Sequence, residues 1–125
     1  MEQNNEKKSF DLRGESKEFA VGIIRLYQHL TEKATKKEYN LSRQLLISGT
    51  RIGDLVRQES LLDAYHMARS SHYWIELLIE GGYVHQQDIE GLLDLSDHLT
   101  RYLYVVSHQE TRQKGKGNPN SVLNN

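Results

Sequence analysis

The chain has 125 residues, 16 basic against 17 acidic side chains and a formal charge of −1, so its overall charge exerts no pull toward nucleic acid. It contains no cysteine, which excludes disulfides, thiolate catalysis and cysteine-ligated zinc. The length suits a single domain that buries one core without covalent or metal support. The polar start, Met1 to Lys8, holds no hydrophobic signal core, and no apolar run approaches the roughly 20 residues of a membrane span. A cytoplasmic protein with no membrane partner is the expectation.

In chain order, residues 1–15 read as a flexible polar arm. Ser16 is placed as the N-cap of a first helix running to about Lys33, with Phe19, Ala20, Ile23, Ile24, Leu26, Tyr27 and Leu30 as its apolar stripe. Lys33 to Asn40 is a lysine-rich connector. A second helix, about Leu41 to Gln58, carries the narrow seam Leu41, Leu45, Ile52, Leu55 and Val56, while Leu46 and Ile47 fall off that seam. Inside it Gly49 and Gly53 share a face, which costs helix propensity and is repaid if a neighbouring helix approaches closely.

The third helix spans Leu61 to Glu80. Ser60 is its N-cap, Asp63 places a favourable charge in its first turn, and Gly81-Gly82 ends it. Wound at about 100° per residue, it gathers Leu61, Ala64, Tyr65, Ala68, His72, Ile75, Leu78 and Ile79 on one face. Leu62, Tyr73 and Leu77, with His66, fall on the opposite side, and Trp74 lies between the two. A second apolar stripe has two readings: neighbouring helices clasp this one from both sides, or the stripe packs against another copy of the chain. The fourth helix, about Gln86 to Gln109, carries Ile89, Leu92, Leu93, Leu99, Leu103 and Val106; residues 110–125 read as a flexible basic tail that includes the only proline, Pro119.

No catalytic signature emerges. The ferritin-like Glu-x-x-His pattern does not occur, Asp63-x-x-His66 being the nearest approach, and there is no Gly-x-Ser-x-Gly. Asp94 and His98, one turn apart, suit a surface pair. His72 among apolar residues reads as a hydrogen-bonded packing histidine before a ligand or base. The glycines of the second helix are not a phosphate loop, since no strand precedes them and no Lys-Ser/Thr pair follows. A non-enzyme with no cofactor, no metal and no small-molecule substrate is expected. Basic residues collect as Lys33, Lys36 and Lys37, as Arg43, Arg51 and Arg57, and as Arg112, Lys114 and Lys116. Each set is a solvated surface by default; repeated around an oligomer, each becomes a multivalent phosphate contact.

Three stretches carry a resemblance: Ser16 to Val21 with Ile24-Arg25-Leu26-Tyr27; Leu41-Ser42-Arg43-Gln44-Leu45-Leu46-Ile47-Ser48-Gly49-Thr50 with Ile52-Gly53; and Tyr73-Trp74-Ile75-Glu76-Leu77-Leu78. Over roughly residues 16–108 the chain resembles the bacterial four-helix-bundle proteins encoded in intervening sequences of large-subunit ribosomal RNA genes. A related branch is the accessory variability determinant of diversity-generating retroelements, a pentameric partner of a reverse transcriptase that contacts nucleic acid. Asp54 to Glu59 departs from the ribosomal branch, and the stretch from Gly53 to Tyr73 is shorter than there by about eleven residues, close to three helical turns.

The resemblance implies an all-α, antiparallel up-and-down four-helix bundle over residues 16–109 that assembles into a ring-shaped homopentamer. Its interface is expected at Leu46, Ile47, Leu62, His66, Tyr73 and Leu77. The expected function is a non-catalytic scaffold for RNA, DNA or a reverse transcriptase, contacted through the three basic sets. The alternative is a purely structural oligomer with no nucleic-acid role.

Overall fold

The chain starts its first helix earlier than its serine suggests. In the computed structural model, which describes residues 11–117 and side chains through residue 109, Asp11 is the N-cap of α1 (Leu12–Gln28), its carboxylate accepting from the Gly14 amide at 3.1 Å. Ser16 is therefore not a cap. Its side chain is fully buried and donates to the Leu12 carbonyl at 2.7 Å, one turn inside the helix. A π-helical turn, His29–Lys33, finishes the element and seats Leu30 in the core.

The 34–39 connector ends in an acidic cap. Glu38, only 8% exposed, accepts from the amides of Asn40, Leu41 and Ser42 at 3.0, 2.8 and 2.7 Å. These are first-turn donors of α2 (Asn40–Arg57), which have no intrahelical partners, and a carboxylate also suits the positive end of the helix dipole. At the far end of α2, Ser60 N–H bonds to Leu55 O and Glu59 N–H to Val56 O, with Glu59 left-handed at φ 62°. That is a Schellman close built on a residue that pays a Cβ penalty there. Leu61–Glu80 forms α3, as its spacing predicts, and Gly82 at φ 83° closes it by the same bonds, Tyr83 N–H to Leu78 O and Gly82 N–H to Ile79 O. Ser60 occupies the N-cap position, but its side chain makes no capping bond.

The last element differs from expectation at both ends. Gln86–Ile89 is a short 3-10 turn, and α4 runs Glu90–Gly117, so residues 110–117 continue the helix rather than a flexible tail. Residues 1–10 and 118–125 of the expected arm and tail lie outside the described residues.

The four helices pack in sequence, α1 on α2, α2 on α3 and α3 on α4, with α4 meeting α1 least. Short connectors between sequential neighbours make this an antiparallel up-and-down four-helix bundle. Phe19, Ile23, Leu45, Ile52, Ile75, Leu78, Leu99 and Leu103 are the large side chains sealed at its centre. Ile24, expected in the α1 stripe, is instead 40% exposed. Six serines, at positions 16, 42, 48, 71, 96 and 107, are buried beside this core. Each hydroxyl has a partner: Ser48 and Ser71 meet across α2 and α3 at 2.9 Å, and Ser42 donates to Glu38 O at 2.8 Å. Small side chains let the helices approach, and Gly49 does the same against Ile23: a methyl added there would lie 3.0 Å from Ile23 Cγ1. Close packing through the α2 glycines is thus what the fold uses.

Candidate functional site

The outer face of α3 carries the surplus apolar surface. Leu62 is 43% exposed and Tyr73 54%, with His66 exposed between them in register and Leu77 half-buried outside the core cluster. Ile47, 54% exposed, adds a side chain from the outer face of α2. Leu46 does not join them, because it is half-buried and packed against the core. At about 100° per residue Leu46 turns beside Leu45 toward the core and Ile47 a further step out to solvent, which is why the two part.

The basic candidates are spread along the bundle. Lys33, Lys36 and Lys37 crowd one end, where Lys36 Nζ lies 4.4 Å from the Tyr83 ring centroid and Lys37 donates to Ala34 O at 3.1 Å. Arg43 and Arg51 are exposed along α2. Arg57, at the other end about 25 Å away by helical rise, pairs with Asp54 at 2.6 Å. Both members of that pair are solvent-exposed, so it is worth little energetically and simply offsets the charge. Arg112, Lys114 and Lys116 sit on the last turns of the α4 backbone, and their side chains lie outside the described residues. The lysines of the first connector and Arg57 thus stand at opposite ends of the bundle.

Between α3 and α4 lies a groove that periodicity alone does not foretell. Tyr104 and His108 of α4 lie against each other, tilted by 37° with ring centroids 4.0 Å apart, and Tyr65 of α3 stands edge-on to both, at 5.5 and 5.9 Å. Arg69 lies 5.9 Å from the Tyr65 centroid. Further along, Arg69, His72, Tyr73, Glu76, Asp97 and Thr100 line a depression of about 270 Å3. Both His72 nitrogens are engaged: Nδ1 is 3.1 Å from Ser96 Oγ and Nε2 3.4 Å from Glu76 Oε2. Ser96 is 2% exposed, so this hydroxyl–imidazole–carboxylate row orients the ring across the helix pair instead of presenting a nucleophile to solvent. The sequence signal for this surface is Tyr102 to Val106, a continuous apolar run wider than one buried stripe, which leaves Tyr104 and Val105 each 49% exposed.

A larger cleft of about 660 Å3 opens where α1 faces the α3–α4 connector, with Leu26, Tyr83, Val84, Ile89 and Leu92 as walls and Arg25, His29, His85 and Asp88 at its polar points. Among the described residues, no three His, Asp or Glu side chains gather in an arrangement that could hold a metal ion, and no helix is long and apolar enough to cross a membrane.

These features define a small four-helix-bundle protein whose recognisable surfaces lie on its outside. A crystal structure at 1.70 Å of a protein with unknown function from the S23 ribosomal protein family, from Bacteroides thetaiotaomicron, superposes on it with a TM-score of 0.71 and 31% identity, over 77% of this chain and 97% of that one. The chain belongs to the S23 ribosomal protein family. No family model matches it, nor does any curated protein.

Proposed function

We propose that this chain is one subunit of a homo-oligomeric ring, a pentamer, that serves as a non-catalytic scaffold for RNA or for an enzyme acting on nucleic acid. The carrying observation is the apolar outer face of α3, where Leu62 and Tyr73 stay exposed although the same helix already fills the core with Ala64, Ala68, Ile75 and Leu78. Each such half-exposed side chain forgoes roughly 1 kcal/mol of burial, which a second copy restores. The family's designation as ribosomal protein supports an RNA partner. The resemblance to the retroelement accessory protein supports a reverse transcriptase as the enzyme.

Light scattering on the purified protein reads a mass near five chains under this proposal, and a monomer at micromolar concentration rejects it. Changing Leu62 and Tyr73 to Asp dissociates the ring and leaves helicity in place, whereas loss of helicity would put these residues in the monomer's own core. RNA binding across a salt series tests the partner; absence of binding at low salt rejects it. A second reading, a structural oligomer of the ribosomal intervening-sequence kind with no nucleic-acid role, is favoured by the −1 charge. Gene neighbourhood separates the two: an adjacent reverse transcriptase supports the first, a position inside a ribosomal RNA gene the second.

A further inference from the structure

We infer that the α3–α4 groove holds unpaired nucleotides, with a base stacked on the Tyr104–His108 ledge; this rests on the reading of the chain as an RNA-binding scaffold and names where and what it binds. The ledge is set before any ligand arrives. His108 Nδ1–H donates to the Tyr104 carbonyl at 2.7 Å, one turn back on the same helix, which fixes the imidazole beside the phenol ring at 4.0 Å. Tyr65, half-buried, backs both rings edge-on. Each ring covers one face of the other, yet Tyr104 keeps 49% of its surface in water and His108 is exposed, so the pair is held rigid with aromatic surface still open to solvent. Rigid, exposed aromatic faces are what single-stranded nucleic acid uses for stacking.

The chemistry next to the ledge matches the rest of a nucleotide. Arg69 offers a guanidinium for a phosphate. Beyond it, Glu76, 3.4 Å from His72 Nε2, and Asp97, paired with Arg101 at 3.0 Å, place carboxylates in the depression beside Thr100, each with acceptor capacity left over. Carboxylates repel a continuous row of phosphates but accept from the amino and imino groups of an unpaired base edge. The mixture therefore argues against a duplex, whose affinity comes from many phosphate contacts, and for splayed single-stranded nucleotides. Charged groups are depleted at the centres of protein interfaces, so this charged depression falls at the rim of the subunit contact proposed through Leu62 and Tyr73, with Tyr73 on the shared edge. From Tyr65, behind the ledge, to Glu76, in the depression, α3 rises about 16 Å, enough for a short run of nucleotides to span both.

The test uses the full-length protein with a short fluorescein-labelled oligoadenylate and an RNA duplex of the same length. Binding favours the single strand; Tyr104→Leu and, separately, His108→Ala each weaken it about tenfold, and Tyr104→Phe restores it. Arg69→Gln lowers the salt dependence by about one phosphate contact. Circular dichroism and light scattering accompany each variant. If neither RNA binds at any salt, the scaffold reading and this inference fall together. If the single strand binds but both ring variants bind like the parent, only the stacking ledge is overturned. If Tyr104→Leu instead changes the oligomeric mass with helicity intact, a second copy covers the groove and the inference is wrong.

Discussion

The α1–α2 side of the bundle and the α1–α4 side are built around the same helix by different means. Against α2, α1 presents Ser16 and Ile23 to Gly53 and Gly49; an added methyl would come 3.6 Å from Ser16 Cβ at one and 3.0 Å from Ile23 Cγ1 at the other. The approach is tight at Gly49, while at Gly53 a methyl would make ordinary contact. Against α4, the same helix offers Gly22 to Leu92, whose Cδ1 would stand only 2.8 Å from an added methyl, yet clefts of about 660 and 440 Å3 remain on either side of the contact. Leu92 and Leu95 are only half-buried. Small residues facing small residues or a fully seated isoleucine close a seam along its length. A glycine facing one long leucine closes it at a point and leaves concave surface beside it.

Mutations measure that contrast. The largest loss is expected on the closed seam: Ile23→Ala, at a fully buried position under Gly49, should cost about 3 kcal/mol in chemical denaturation, from lost burial and the cavity left behind. Glu38→Ala should cost about 2 kcal/mol, because three first-turn amides of α2 lose a charged acceptor in a buried place. A loss below half a kcal/mol would mean that water replaces the carboxylate at no penalty. Gly49→Ala should cost about 1 kcal/mol net, the crowding of a fully seated Ile23 exceeding the gain in helix propensity. On the open seam, Leu92→Ala should cost about 1 kcal/mol, well short of Ile23→Ala, since its side chain is half in water already. Equal losses for Ile23→Ala and Leu92→Ala would erase the distinction between the seams.

Much of the fold is legible without coordinates because its signals are local. Leu61 to Glu80 reads correctly since a serine opens it, two glycines close it and the spacing between is strongly periodic. Its outer stripe is equally readable, because angular position on a helix needs no knowledge of neighbours. The misreadings are nonlocal. Asp11 and Ser16 are both good cap residues, and what decides between them is that Ser16 packs against Gly53 from another helix. The buried serines escape a search for apolar residues although Ser71 stands in the core register between Ala68 and Ile75. The aromatic ledge requires the α3–α4 register that sets Tyr65 against Tyr104 and His108, which no stripe on either helix specifies.

The smallest prediction discriminates most finely between the seams, because it makes the same change as Gly49→Ala in the opposite surroundings. Gly91 lies in the first turn of α4 and lines the 660 Å3 cleft, and a methyl added there meets nothing within 4 Å. With no neighbour to displace, only the backbone term is left: alanine loses less conformational freedom on entering a helix than glycine. Gly91→Ala should therefore raise stability by about 0.5 kcal/mol, less than a mid-helix replacement because the first turn is partly frayed. Denaturation of the two alanine variants side by side gives opposite signs if one seam is closed and the other open. A loss at Gly91 as large as that at Gly49 would show that the cleft is filled in solution by something a methyl displaces.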